Sequence, residues 1–251
     1  MRFLLLVLGF LLLFPAPGSC ASLRVVTEEW PPYNYAENGA AAGLVTAVVR
    51  AALDRAGLDY TIKVLPWARA YSLALHDPNV LLYSTLKLPE REPHFHWVRL
   101  DGLGVEMHLF RPRHRRDIRI GTLDDAKAYR VGLTRDSAPH HFLLRQGFQE
   151  GVNLFPVSDE LLNVRKSEPG NNRIDLTTGD PLSQGYRLRQ AGLPADYWVR
   201  VLPLFSTDIY MAFSLATPPE TVERVRAALR QLRDEGFIDA TRDGYLRRLA
   251  P

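Results

Sequence analysis

Apolar residues recur along this 251-residue chain in two alternating rhythms. The β-branched runs "LRVVT" (23–27), "YTIKVLP" (60–66) and "NVLLYSTL" (79–86) predict buried strands. Between them, "LVTAVVRAALDRAG" (44–57) and "WARAYSLALHD" (67–77) space their apolar residues as helices do, the first stopping at Gly57. "AENGAAAG" (36–43) reads as a loop. Strand, helix, strand, helix, strand predicts a parallel α/β sheet.

The rhythm then returns. After a strand-like "GVEMHLFRP" (104–112), strands are expected over 130–135, 152–157 and 173–180. Helices are expected over 139–148 and over 158–168, the latter capped by Ser158. "IYMAFSLA" (209–216) is a late strand and "PETVERVRAALRQLRDEG" (219–236) a strongly amphipathic helix. A shorter helix, "IDATRDGYLRRL", ends the chain. Two α/β units of about 100 residues each follow, with no repeat of solenoid type. In open parallel sheets ligands sit outside the carboxyl ends of the strands. Here those ends carry "TEEWPPYNY", "LPWARAY", "STLKLPER", "TRDSAPHH" and "TTGDPLSQGY", which hold most of the polar and aromatic residues of interest. A cleft between two lobes is therefore expected.

The N-terminus departs from this pattern. Met1 and Arg2 precede "FLLLVLGFLLLF" (3–14), and Ser19 and Ala21 stand at the −3 and −1 positions of a cut after Ala21. That reads as a secretory signal peptide over 1–21, its apolar run being too short to span a bilayer. Cys20 beside the cut leaves lipid anchoring as the alternative, although Pro17 replaces the leucine of a lipoprotein signal. Export to the periplasm is the expectation.

Charge adds little. Lys and Arg number 31 against 28 Asp and Glu, a net +3 that becomes +2 once Arg2 is removed, and this gives no case for nucleic-acid binding. The basic run "RPRHRRDIR" (111–119) reads as a solvated loop. His94 with His96 and His140 with His141 lack metal-site spacing, and no nucleotide or hydrolase motif is present. Neither metal nor cofactor is expected.

One constellation is more specific. "P-E-R-E…F-x-W-V" follows the third strand, "T-x-E-x-P-P-Y" stands near the start, "R-I-D-L…D" comes later, and "LRDEGFIDATRDGYL" closes the chain. Together these resemble the periplasmic solute-binding proteins of family 3, which feed polar amino acids to ABC importers. The resemblance implies a type II two-lobed fold with mostly parallel sheets and a two-strand hinge. Lobe one would comprise 22–103, lobe two 104–208, and 209–251 would return to complete lobe one. It also implies a monomeric, non-enzymatic protein that captures a small polar solute, an amino acid or related carboxylate, for a membrane permease.

The resemblance carries the site as well. Arg91 stands where the family's arginine grips the ligand's α-carboxylate, a task suited to a guanidinium fork. The alternative is a surface arginine paired with Glu90 or Glu92. Asp180 stands where lobe two supplies an aspartate for the ligand's ammonium, so that a zwitterion would draw the lobes together. Trp30, Tyr33 and Trp67 are wall aromatics or core residues. Ser137 either caps a helix or serves a carboxylate at its start. Ser84 and Thr85 precede Leu86, which replaces a serine or threonine common in relatives. "LPWARAY" is similar to a branch of the family with often unassigned ligands, in which Arg69 faces either the cleft or solvent. Two rivals remain: an enzyme of the same fold acting on a small carboxylic acid, with Glu28 or Glu29 as general acid, and a solute-sensing subunit.

Overall fold

The computed structural model describes residues 22–249. The expected export segment (1–21), with Cys20, lies outside the described residues. In chain order the elements are β1 (Leu23–Thr27), β2 (Tyr35–Glu37), β3 (Ala40–Ala42), α1 (Leu44–Arg55), β4 (Tyr60–Val64), α2 (Trp67–His76) and β5 (Val80–Thr85). A short 3-10 turn, Glu92–His94, leads into β6 (Phe95–Pro112), followed by α3 (Leu123–Ala126), β7 (Val131–Thr134), α4 (Ala138–Arg145) and β8 (Leu154–Val157). Then come α5 (Leu161–Ser167), β9 (Leu176–Gly179), α6 (Pro181–Gln190), β10 (Trp198–Ser214), α7 (Pro219–Asp234) and α8 (Phe237–Leu249).

The main sheet runs β4-β1-β5-β10-β6-β9-β7-β8. β1 is parallel to β4 and β5, and β7 is parallel to β8 and β9, so each end of the sheet is a small parallel unit. β6 and β10 join them. They pair antiparallel along their length; β10 meets β5 at its C-terminal end, and β6 meets β9 at 108–110. Register shifts between Arg200 and Leu202, Pro203 and Phe205, and Asp208 and Tyr210 interrupt the pairing, and extra residues of this kind bend a strand.

Alternation along the strands divides the core. Leu81, Met211 and Phe213 face a cluster under α1 and α7, whereas Leu82 and Ala212 face one under α2. In the second lobe Leu109 packs with Leu133 and Leu143, and its neighbour Phe110 packs with Val164 and Leu188 on the opposite face. Both faces of each lobe are thus covered by helices, as a parallel sheet requires.

Four differences from the sequence expectation have physical causes. β6 runs unbroken through 99–103 and β10 begins at Trp198, because the alternating burial of these stretches gives no continuous apolar signal. Residues 36–43 form a tight hairpin, β2 with β3, rather than a plain loop. α5 starts at Leu161 with Glu160, not Ser158, at its N-cap position. The basic run is only partly solvated: Arg115 reaches Asp175, which Arg130 also holds. Burial alone would raise the Asp175 carboxyl, but the hydrogen bonds from Arg130 and Arg115 outweigh it and hold the group below the usual carboxylate range.

Gly43, at the N-cap of α1, has φ 116°, and a methyl group there would overlap the Tyr33 carbonyl. That carbonyl accepts from Val45 N, so the start of α1 fixes the turn carrying Trp30 and Tyr33. Gly43→Ala is expected to destabilise the protein by about 2 kcal/mol. Chemical denaturation checks it, and an unchanged midpoint would show that the turn adapts freely.

Candidate functional site

Elements of both lobes end at one cleft. From lobe one come Glu28 after β1, Trp67 opening α2, Ser84 and Leu86 at the end of β5, and Arg91 before the 3-10 turn. From lobe two come Thr134 at the end of β7, Ser137 capping α4, Glu160 at the start of α5, Thr178 and Gly179 ending β9, and Ser183 and Arg187 on α6. They enclose an inner chamber of about 70 Å³. A wider outer chamber of about 500 Å³ adjoins it, and Glu28, Trp67, Thr134, Glu160 and Arg187 line both.

Arg91 is only 3% exposed. Its guanidinium lies over the rings of Trp67 and Tyr71, 4.8 and 5.2 Å from their centroids, a geometry that holds a cation firmly. It donates to Leu86 O at 3.4 Å and across the lobes to Asp136 O at 2.6 Å. Trp67 Nε1 donates to that same carbonyl at 2.9 Å. Two of five N–H groups are therefore engaged, and the side chain still borders the inner chamber. Glu90 and Glu92 are not its bonded partners: Glu90 bonds across the lobes to Arg145 and His141, and Glu92 pairs with Lys87.

Asp180 stands differently from the sequence expectation. It is 1% exposed and not among the residues lining either chamber. Oδ1 accepts from Tyr33 Oη (2.9 Å) and Ser183 N (2.9 Å); Oδ2 accepts from Trp30 Nε1 (3.1 Å) and Ser183 Oγ (2.6 Å). A carboxylate offers about four acceptor positions, and all are taken. In place of a ligand's ammonium, Asp180 holds two aromatic donors of lobe one, forming a latch between the lobes. The Trp30–Tyr33 pair that reaches it is set by the turn after β1, with ring centroids 4.8 Å apart.

The other expected residues divide. Trp30, Trp67, Ser84 and Ser137 line the inner chamber; Tyr33 and Thr85 do not. Ser137 is also the N-cap of α4, accepting from His140 N, so its two readings coexist. Ser84, at φ 59°, is 1% exposed, and its hydroxyl has no partner among the described residues. A strained backbone and an unpartnered polar atom at a chamber wall are features of binding sites. Arg69 is exposed on α2 and outside this cleft.

Three charged groups of the inner wall carry no ligand role in the sequence reading: Glu28, Glu160 and Arg187. Glu160 accepts from Thr134 Oγ1 at 2.7 Å, Thr177 Oγ1 at 3.0 Å and Asn163 Nδ2 at 3.1 Å. Arg187 donates to Ser183 Oγ at 3.3 Å. The Glu28 carboxyl has no hydrogen bond among the described residues and faces both chambers. Burial pushes it up to about 7; the positive charges of Arg187 and then Arg91 oppose the rise, and the negative charges of Glu160 and Glu29 add to it.

No family model and no curated protein matches this sequence. Solved structures do resemble it. A histidine kinase sensor domain with similarity to periplasmic binding proteins aligns at TM-score 0.79 and 20% identity, covering 90% of this chain and 96% of its own. The arginine-, lysine-, histidine-binding protein ArtJ from Geobacillus stearothermophilus aligns at 0.76 and 15%, covering 91% and 99%. The ancestral amino acid-binding protein AncCDT-1, a precursor of cyclohexadienyl dehydratase, aligns at 0.72 and 15%, covering 89% and 94%. These likenesses establish the two-lobed periplasmic-binding-protein fold.

Proposed function

We propose that this two-lobed protein captures a small polar solute, an amino acid or related carboxylate, in the cleft and presents it to a membrane ABC permease from the periplasm. The observation that carries this reading is Arg91: a buried, stacked guanidinium with N–H groups to spare at the wall of an inter-lobe chamber. Such a group grips a carboxylate with two parallel hydrogen bonds. Because Arg91 and Trp67 both bond to Asp136 O of lobe two, a ligand on Arg91 sits where the lobes meet, so its binding favours closure. The amino-acid binders among the similar structures agree with this ligand class.

A thermal-shift panel of amino acids, polyamines and small carboxylates tests the reading. At 100-fold excess over Kd a true ligand adds about 2.7 kcal/mol, which for a chain of this length is about 5–10 °C in Tm. A rise confined to one chemical class is the expected result; no rise with any amino acid or carboxylate would reject it.

Glu28 favours a second reading, an enzyme acting on a small carboxylic acid. An unbonded carboxyl near 7 at a chamber wall has the proton affinity a general acid needs. Product formed from the best hit, and lost in Glu28→Gln while binding persists, would establish that activity. A hit recovered unchanged leaves the binding protein.

A further inference from the structure

The inner chamber is bordered by two arginines from opposite lobes, and both are nearly buried: Arg91 at 3% and Arg187 at 8% exposure. Among the described residues neither lies within ion-pair distance of a carboxylate, Glu90 and Glu92 being paired elsewhere. Arg187 has one of its five N–H groups engaged, by the Ser183 hydroxyl, and Ser183 in turn donates to Asp180. Asp180 has no acceptor position left, since Trp30, Tyr33 and Ser183 fill all of them. Glu28 is near enough to act on both cations, but it does not bond to either, so their desolvation is only partly offset. The wall is therefore rich in unused donors, to which Ser84 Oγ adds another.

Acceptors are scarce by comparison. Three donors already hold the Glu160 carboxylate. Among the described carboxyls of the inner chamber, that of Glu28 is unbonded, and a protonated carboxyl is itself a donor. A ligand ammonium finds few acceptors here, whereas two acidic groups find a guanidinium each.

Resting on the reading that the cleft binds a small solute, we infer that its ligand is a compact diacid, one acidic group on Arg91 of lobe one and the other on Arg187 of lobe two. Closure then follows from the ligand bridging two cations, a role the sealed Asp180 does not fill. The charged groups facing Glu28 are Arg187, Arg91, Glu160 and Glu29. An added anion among them favours the protonated Glu28, so diacid binding near pH 7 takes up protons; a cationic ligand would release them.

Titration calorimetry on the full protein at pH 7, in two buffers of different ionisation enthalpy, tests this with succinate, glutarate and L-glutamate against propionate, L-glutamine and L-arginine. The expected result is a diacid at least about tenfold tighter than propionate, with uptake of up to about half a proton. Arg187→Gln is expected to shrink that diacid preference by at least about tenfold. The sign of proton exchange in the unaltered protein decides the matter should this variant fold poorly. Tightest binding by L-arginine or L-glutamine, or proton release, would overturn the inference and leave the solute-binding reading standing. Silence of every probe here and in the thermal-shift panel would reject both.

Discussion

Arg91→Ala is expected to weaken the best ligand by at least about a hundredfold, about 3 kcal/mol. The size follows from where the guanidinium sits. It is nearly buried, pinned over Trp67 and Tyr71, and bonded to carbonyls of both lobes. Removing it leaves an anion in the chamber without its partner and takes away one of the two donors that grip Asp136 O. Arg91→Lys should lose at least about tenfold as well, because an ammonium keeps the charge but not the planar fork. Calorimetry measures both, and the denaturation midpoint of each variant separates lost binding from lost fold. Affinity retained within threefold in Arg91→Ala would mean that this arginine is a structural pin and not a ligand residue.

Glu28→Gln is expected to remove a large pH dependence of stability. Burial holds the folded carboxyl near 7, against 4.5 in the unfolded chain. Below 4.5 both states are protonated and the group costs nothing. Between 4.5 and 7 the unfolded chain releases its proton while the folded one retains it, so stability falls as pH rises. Above 7 both are ionised and the loss is complete. The gap corresponds to about 3 kcal/mol. Urea unfolding of the parent and of Glu28→Gln at pH 4.5, 6 and 7.5 should show the variant gaining on the parent by roughly that amount over this window. Comparing the two proteins cancels the contribution of Glu29, whose carboxyl burial also raises. Parallel pH curves would show that Glu28 titrates as an ordinary surface carboxyl.

The secondary structure was legible wherever a lobe has its own core. The expected bounds of β1 coincide with the observed ones, and those of α1, α2 and α7 agree within a residue or two, because their apolar periodicity reports burial directly. Legibility failed along the cleft. α6 buries Ser183, Gln184 and Arg187 with Leu188; its inner face is polar because it meets the other lobe across the chamber, so its pattern reads as a loop. The Asp180 N-cap followed by Pro181 was the remaining signal. Arg91 could be located from its motif, but Asp180 could not be assigned the right neighbours. Whether its carboxylate faces a ligand or the donors of Trp30 and Tyr33 depends on contacts about 150 residues apart in sequence, which no local pattern encodes. Glu28 was visible as a residue, but its raised proton affinity arises from burial and from the balance of Arg187 and Arg91 against Glu160.

The most direct measurement is a crystal structure of the protein with its tightest thermal-shift ligand. Ligand density in the inner chamber, with an acidic group paired to the Arg91 guanidinium and lobe-two atoms on its other side, is the expected result. Density elsewhere on the molecule, or an Arg91 side chain turned away from the bound ligand, would contradict solute capture at this cleft.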